Sequence, residues 1–76
     1  MADERIRIEL GFEGGQIMGA QVPVADAERL ERQLASGGVG TVELDVEDGR
    51  IVVVLARVLY VKRFSKESRV GFNPAG

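Results

Sequence analysis

The chain has 76 residues, is 45% hydrophobic, carries a net charge of −2, and contains neither histidine nor cysteine. A chain of this length makes one domain, residues 1–76, with a core close to the lower limit for independent stability. The missing cysteines exclude a disulfide staple and a thiolate metal site, and the missing histidines remove the commonest general base and metal ligand.

Glu4 to Phe12 alternates. Ile6, Ile8, Leu10 and Phe12 point one way and Arg5, Arg7 and Glu9 the other, the pattern of a half-buried strand. Glu13-Gly14-Gly15 supplies a turn. Gln16 to Val22 is a second strand, weakened by Gly19 and Ala20, which offer little side chain to pack. Pro23 ends it.

Ala25 to Ser36 has helical spacing, with Ala27, Leu30 and Leu34 as a narrow apolar stripe. Asp26 stands where a carboxylate caps first-turn N–H groups, and Glu28 and Arg32 are spaced as an i,i+4 ion pair. Gly37-Gly38 is a C-cap signal. Thr41 to Glu47 alternates again, with Val42, Leu44 and Val46 inward, and Asp48-Gly49 predicts a type I′ hairpin turn.

Ile51 to Val61 reads I-V-V-V-L-A-R-V-L-Y-V, with Arg57 its only charge. The run is one strand or two broken near Ala56-Arg57. Either way it is apolar on both faces, unlike a strand with one wet side. The chain's own helix can cover one face. The simplest cover for the other is a second copy of the same protein, which makes Val52, Val54, Val58, Tyr60 and Phe64 the candidate interface residues. Ser65 to Ser68 is a polar turn, Arg69 to Phe72 offers a short further strand, and residues 73–76 read as a frayed end. The expected fold is α+β: β-β-α-β-β with an optional sixth strand, a mostly antiparallel sheet with one helix on one face.

The segments Leu34-Ala35-Ser36-Gly37-Gly38, Asp48-Gly49-Arg50 and Val58-Leu59-Tyr60-Val61 resemble those of small actinobacterial β-β-α-β-β proteins of unknown function. The resemblance covers about Arg5 to Val61. It implies a fold and carries over no catalytic residue.

Charge is unevenly spread. Up to Leu55 eleven acids face five bases; from Ala56 on, Arg57, Lys62, Arg63, Lys66 and Arg69 face Glu67 alone. These five bases are the candidate contacts for an anionic partner such as nucleic acid. Alternation sets Tyr60, Lys62 and Phe64 on one strand face, an aromatic–basic–aromatic row that could stack bases. It sets Arg57, Leu59, Val61 and Arg63 on the other.

Other constellations fail on spacing. Asp45 to Gly49 puts glycine at position 5 of a calcium loop that needs it at 6, and Ala56 where the bidentate Glu belongs. Gly37 to Gly40 follows a helix, whereas phosphate loops open one. Ser65-Lys66 sits in a turn, where nothing would desolvate the lysine. No catalytic residue, cofactor or metal site is expected. Met1 to Arg7 is polar and charged, unlike a signal peptide, and the apolar run is too short to span a bilayer. The expectation is a cytoplasmic, homo-oligomeric interaction module. A nucleic-acid-binding module is the first alternative, and a small-ligand binder with its pocket between helix and sheet the second.

Overall fold

A computed structural model describes residues 4–64. The turn and strand expected at 65–72, with Lys66 and Arg69, lie outside the described residues. The order is β1 (Arg5–Phe12), β2 (Ile17–Pro23), α1 (Val24–Ala35), β3 (Thr41–Val46), β4 (Gly49–Val54), a single 3₁₀ turn (Leu55–Arg57) and β5 (Val58–Arg63). The fold is α+β, with antiparallel strands and one packed helix. The apolar run is divided by the 3₁₀ turn, close to where Ala56-Arg57 marked a break.

The first hairpin turns through Glu13-Gly14-Gly15, with φ of 91° and 90° at the two glycines; Phe12 N–H donates to Gln16 O at 2.8 Å. The second turns one residue earlier than the Asp48-Gly49 signal indicates. Val46 pairs with Gly49, so Glu47-Asp48 are the central residues and Gly49 opens β4. The glycine is still needed, because its φ is 151°.

The helix begins differently from the expectation. Pro23 is the N-cap and no side chain caps the first turn. Val24 N–H instead donates to Glu4 O at 3.1 Å. The Asp26 carboxylate turns away from its own helix end, toward β3. Glu28 and Arg32 form no ion pair; the pair on this helix is Arg29 with Asp26 at 3.1 Å. At the other end Gly37 N–H donates to Leu34 O and Gly38 N–H to Gln33 O, the two bonds of a Schellman cap.

The strands form two sheets rather than one. One is three-stranded in the order β2-β1-β5, the other is the hairpin β3-β4. Side chains that alternation turns inward meet between them and α1. Ile8, Leu10, Val22, Ala27, Leu30, Val42, Leu44, Val53 and Leu55 make the buried core. Ile6, Phe12, Leu34, Ile51, Val58 and Val61 pack around it, half-buried.

What keeps the sheets apart is a set of side chains on the free edge of β3. Leu55 N–H donates to Gly40 O at 3.0 Å. In an antiparallel ladder bonded pairs alternate, so Val42/Val53, Leu44/Ile51 and Val46/Gly49 exchange hydrogen bonds. The backbone of Glu43 and Asp45 therefore faces away from β4. Asp45 N–H donates to Asp26 Oδ2 at 2.9 Å, Arg29 Nη2 to Glu43 O at 3.0 Å, and Arg5 Nη1 to Asp45 O at 3.0 Å. Arg5 Nη1 also donates to Gln21 O of β2 at 3.1 Å. One guanidinium thus bridges the edges of the two sheets where a strand-to-strand ladder would otherwise run.

Candidate functional site

The outer face of the β2-β1-β5 sheet carries the aromatic–basic row. Phe64 N–H donates to Arg7 O at 3.0 Å, and Glu9 pairs with Lys62 and Gly11 with Tyr60. This register sets Tyr60, Lys62 and Phe64 side by side, as alternation requires. Lys62 Nζ lies 4.6 Å and Arg7 Cζ 5.7 Å from the centroid of the Phe64 ring. Both cations are therefore placed on the ring's negative faces.

Tyr60 is tied down at both ends. Its ring covers Gly11, where a Cβ would come within 2.6 Å of ring carbons Cδ2 and Cζ. Its hydroxyl donates to Glu9 Oε2 at 2.7 Å. The Glu9 carboxylate stabilises the protonated phenol, chiefly through that hydrogen bond, and so holds the Tyr60 pKa above its ordinary value. Glu9 also puts a negative charge in the middle of the row, which disfavours phosphate.

The five bases do not converge. Arg57 stands in the 3₁₀ turn and pairs with Glu13 at 3.3 Å. Arg63 points to the inner side of β5, where its Nη2 and Nε donate to the two oxygens of Glu31 on α1 at 2.7 and 3.0 Å. The Glu31 hydrogen bond, with the charges of Glu31 and Glu28, raises the Arg63 pKa and keeps it charged. Of the described bases in the set, Lys62 alone joins the outer face, and its companion there is Arg7, which the sequence reading assigned only to the wet side of β1. The signal for Arg7 was its spacing of two residues from Glu9 on an alternating strand.

The candidate interface residues also separate. Val58 packs against the core. Val52 and Val54 are 58% and 50% exposed and lie together on the outer side of β4. Leu59 is 66% exposed at a β-bulge: Gly11 pairs with Tyr60 but Phe12 with Val58, which leaves Leu59 as the extra residue.

The space between helix and sheet is filled by Ala27 and Leu30, both fully buried. A cleft of about 390 Å³ opens elsewhere, between Met18–Gln21 of β2 and Val46, Asp48 and Ile51 of the second hairpin. Among the described residues no group of three acidic side chains is placed to hold a metal ion, and no helix is long and apolar enough to cross a membrane.

No family model, curated protein or solved structure matches the chain.

Proposed function

We propose that the chain is a small non-catalytic interaction module that associates with further copies of itself. The observation that carries this reading is the pair Val52 and Val54. They stand half-exposed on the outer side of a sheet that has two strands among the described residues. The inner side of the hairpin is already packed through Val42, Leu44 and Val53, whereas apolar side chains on its wet side add nothing until something covers them. The composition supports the same reading: without histidine or cysteine, the commonest general base and the thiolate nucleophile are missing. Sedimentation equilibrium at micromolar and higher concentrations tests it. A mass of twice 8.2 kDa or more is expected, and a monomer throughout rejects self-association.

The grouping of Arg7 and Lys62 around Phe64 favours nucleic acid as a second reading, because two cations beside aromatic rings on one sheet face can meet a phosphate. Against it stand Glu9 within the row and the engagement of Arg57 and Arg63 elsewhere.

A further inference from the structure

The surface through which a second copy docks can be read from the strand edges. We infer that two chains pair β4 to β4, antiparallel about a two-fold axis at Val52, joining their hairpins into one four-stranded sheet β3-β4-β4-β3. The inference rests on the self-association proposed above and assigns it a site.

The ladder parity that turns Glu43 and Asp45 away from β4 also turns Arg50, Val52 and Val54 away from β3. On β3 those outward groups are met by Asp26, Arg29 and Arg5. On β4 no partner among the described residues meets them. The remaining edges are guarded. The β5 edge carries the Leu59 bulge, Lys62, and the inward-turned charge of Arg63 clamped to Glu31. The β2 edge has Gln21 O bound by Arg5 and the second hairpin beside it. Bulges, lysines, inward charges and covering segments are the devices that keep sheet edges from pairing. Among the described residues no segment bonds the outer edge of β4, and from Ile51 to Val54 it carries no lysine, proline, glycine or bulge; the adjacent Arg50 is turned to Glu43 on β3.

The occupant must be an extended strand, because the open groups are alternating N–H and C=O. A second β4 fits without conflict. With the axis at Val52, Val52 faces the partner's Val52, and Arg50 faces the partner's Val54. The three outward-facing residues of each strand then exchange roughly six backbone hydrogen bonds. Val52 and Val54 of both copies meet on the outer face as a four-valine patch, while Arg50 stays turned to Glu43 of its own hairpin, 3.5 Å away. No like charges come opposite one another. The nearest acids in the Val52 row, Glu43 and its symmetry mate, fall three strand spacings apart, about 14 Å, well beyond the screening length of about 8 Å in physiological salt. Each two-stranded sheet becomes half of a four-stranded one.

The experiment compares three chains by sedimentation equilibrium and by amide hydrogen exchange: the wild type, Val52→Lys, and Leu59→Lys as the control on the β5 edge. Val52 is exposed, so the lysine disturbs the edge and not the core; Val54→Lys repeats the test should Val52→Lys fail to fold by circular dichroism. The wild type and Leu59→Lys are expected to be dimers, with the amides of Arg50, Val52 and Val54 protected in a concentration-dependent way. The β4 variants are expected to be monomers over the same concentration range, with that protection lost. Dimers that persist in both β4 variants, with freely exchanging amides at 50, 52 and 54, overturn the β4 pairing and leave self-association standing. A wild type that is monomeric throughout overturns both.

Discussion

The Tyr60 ring lies flat over Gly11, its cross-strand partner, and reaches past it to place its hydroxyl 2.7 Å from Glu9. The absence of a side chain at position 11 is what allows that approach. Gly11 is buried although it sits in a strand, where glycine otherwise weakens the ladder. The aromatic ring replaces the missing packing.

Gly11→Ala should therefore cost about 1–3 kcal/mol, because the methyl displaces the ring or the strand. Urea denaturation measures it. The same substitution in a Tyr60→Ala background should cost clearly less, since nothing then occupies the space. Equal costs in the two backgrounds would mean that the ring is not what Gly11 accommodates.

Tyr60 is the only tyrosine, so its ionisation can be followed by ultraviolet absorbance without interference. Its pKa is raised in the folded chain, mainly by the hydrogen bond to Glu9. A raised pKa stabilises the fold fully below the unfolded value of about 10, and that contribution is lost as pH climbs through the folded value. The titration midpoint should lie above that of a tyrosine peptide, and Glu9→Gln should bring it down. A midpoint unmoved by Glu9→Gln would show that the carboxylate is not the cause.

Asp26 accepts from Asp45 N–H and from Arg29, so it ties α1 to the edge of β3. Asp26→Ala should destabilise by about 1–2 kcal/mol, the effect of leaving a strand N–H without its protein partner. Asp26→Asn keeps an acceptor oxygen and should lose less. Were a helix cap the only role of this residue, Ser at position 26 would rescue the alanine variant fully; incomplete rescue in urea denaturation is the expected result.

Gly49 holds a φ of 151° with open space around it, so substitution there meets backbone strain and no clash. Gly49→Val should lower stability by about 1–3 kcal/mol. An unchanged denaturation midpoint would mean that the hairpin relaxes into another turn.

Binding to RNA or single-stranded DNA should be no tighter than about 10 μM at physiological salt, the range of non-specific contact. Any binding seen should weaken with salt, at a log–log slope of roughly −0.7 per phosphate neutralised. Submicromolar affinity, lost on Tyr60→Ala and on Lys62→Glu, would reverse the ranking and put nucleic-acid recognition first.

Much of the fold is legible in the chain because alternation and helical spacing are local signals. Ile8 and Leu10, Ala27 and Leu30, and Val42 and Leu44 are buried as their spacing indicates. So is the two-faced character of Ile51 to Val54, with Val53 buried and Val52 and Val54 exposed. What is not legible depends on residues far apart in sequence. Asp26 and Arg29 pair with each other on the helix and also bond β3, and Arg5 reaches across 40 residues to Asp45. Nothing around Arg5 marks it as a joint between sheets. The bulge at Leu59 is a register property of two strands, and neither strand shows it alone. Alternation does separate Lys62 from Arg57 and Arg63; it is the 3₁₀ turn, and the reach of Arg57 to Glu13 and of Arg63 to Glu31, that part the last two.

The seat of β1 between β2 and β5 has a consequence for how the chain assembles. The two hairpins close over short loops, but β5 must return to β1 from 51 residues away, as Glu9 and Tyr60 show. Such distant pairing comes late, after the entropy of closing a long loop has been overcome. Until then the backbone groups of Arg7, Glu9 and Gly11 that will bond β5 stand open beside an apolar inner face. A nascent or truncated chain ending before Val58 would thus present a second sticky edge that the complete fold hides. β5 is its seal, so aggregation during synthesis should track the availability of Val58–Arg63 and not the stability of either hairpin.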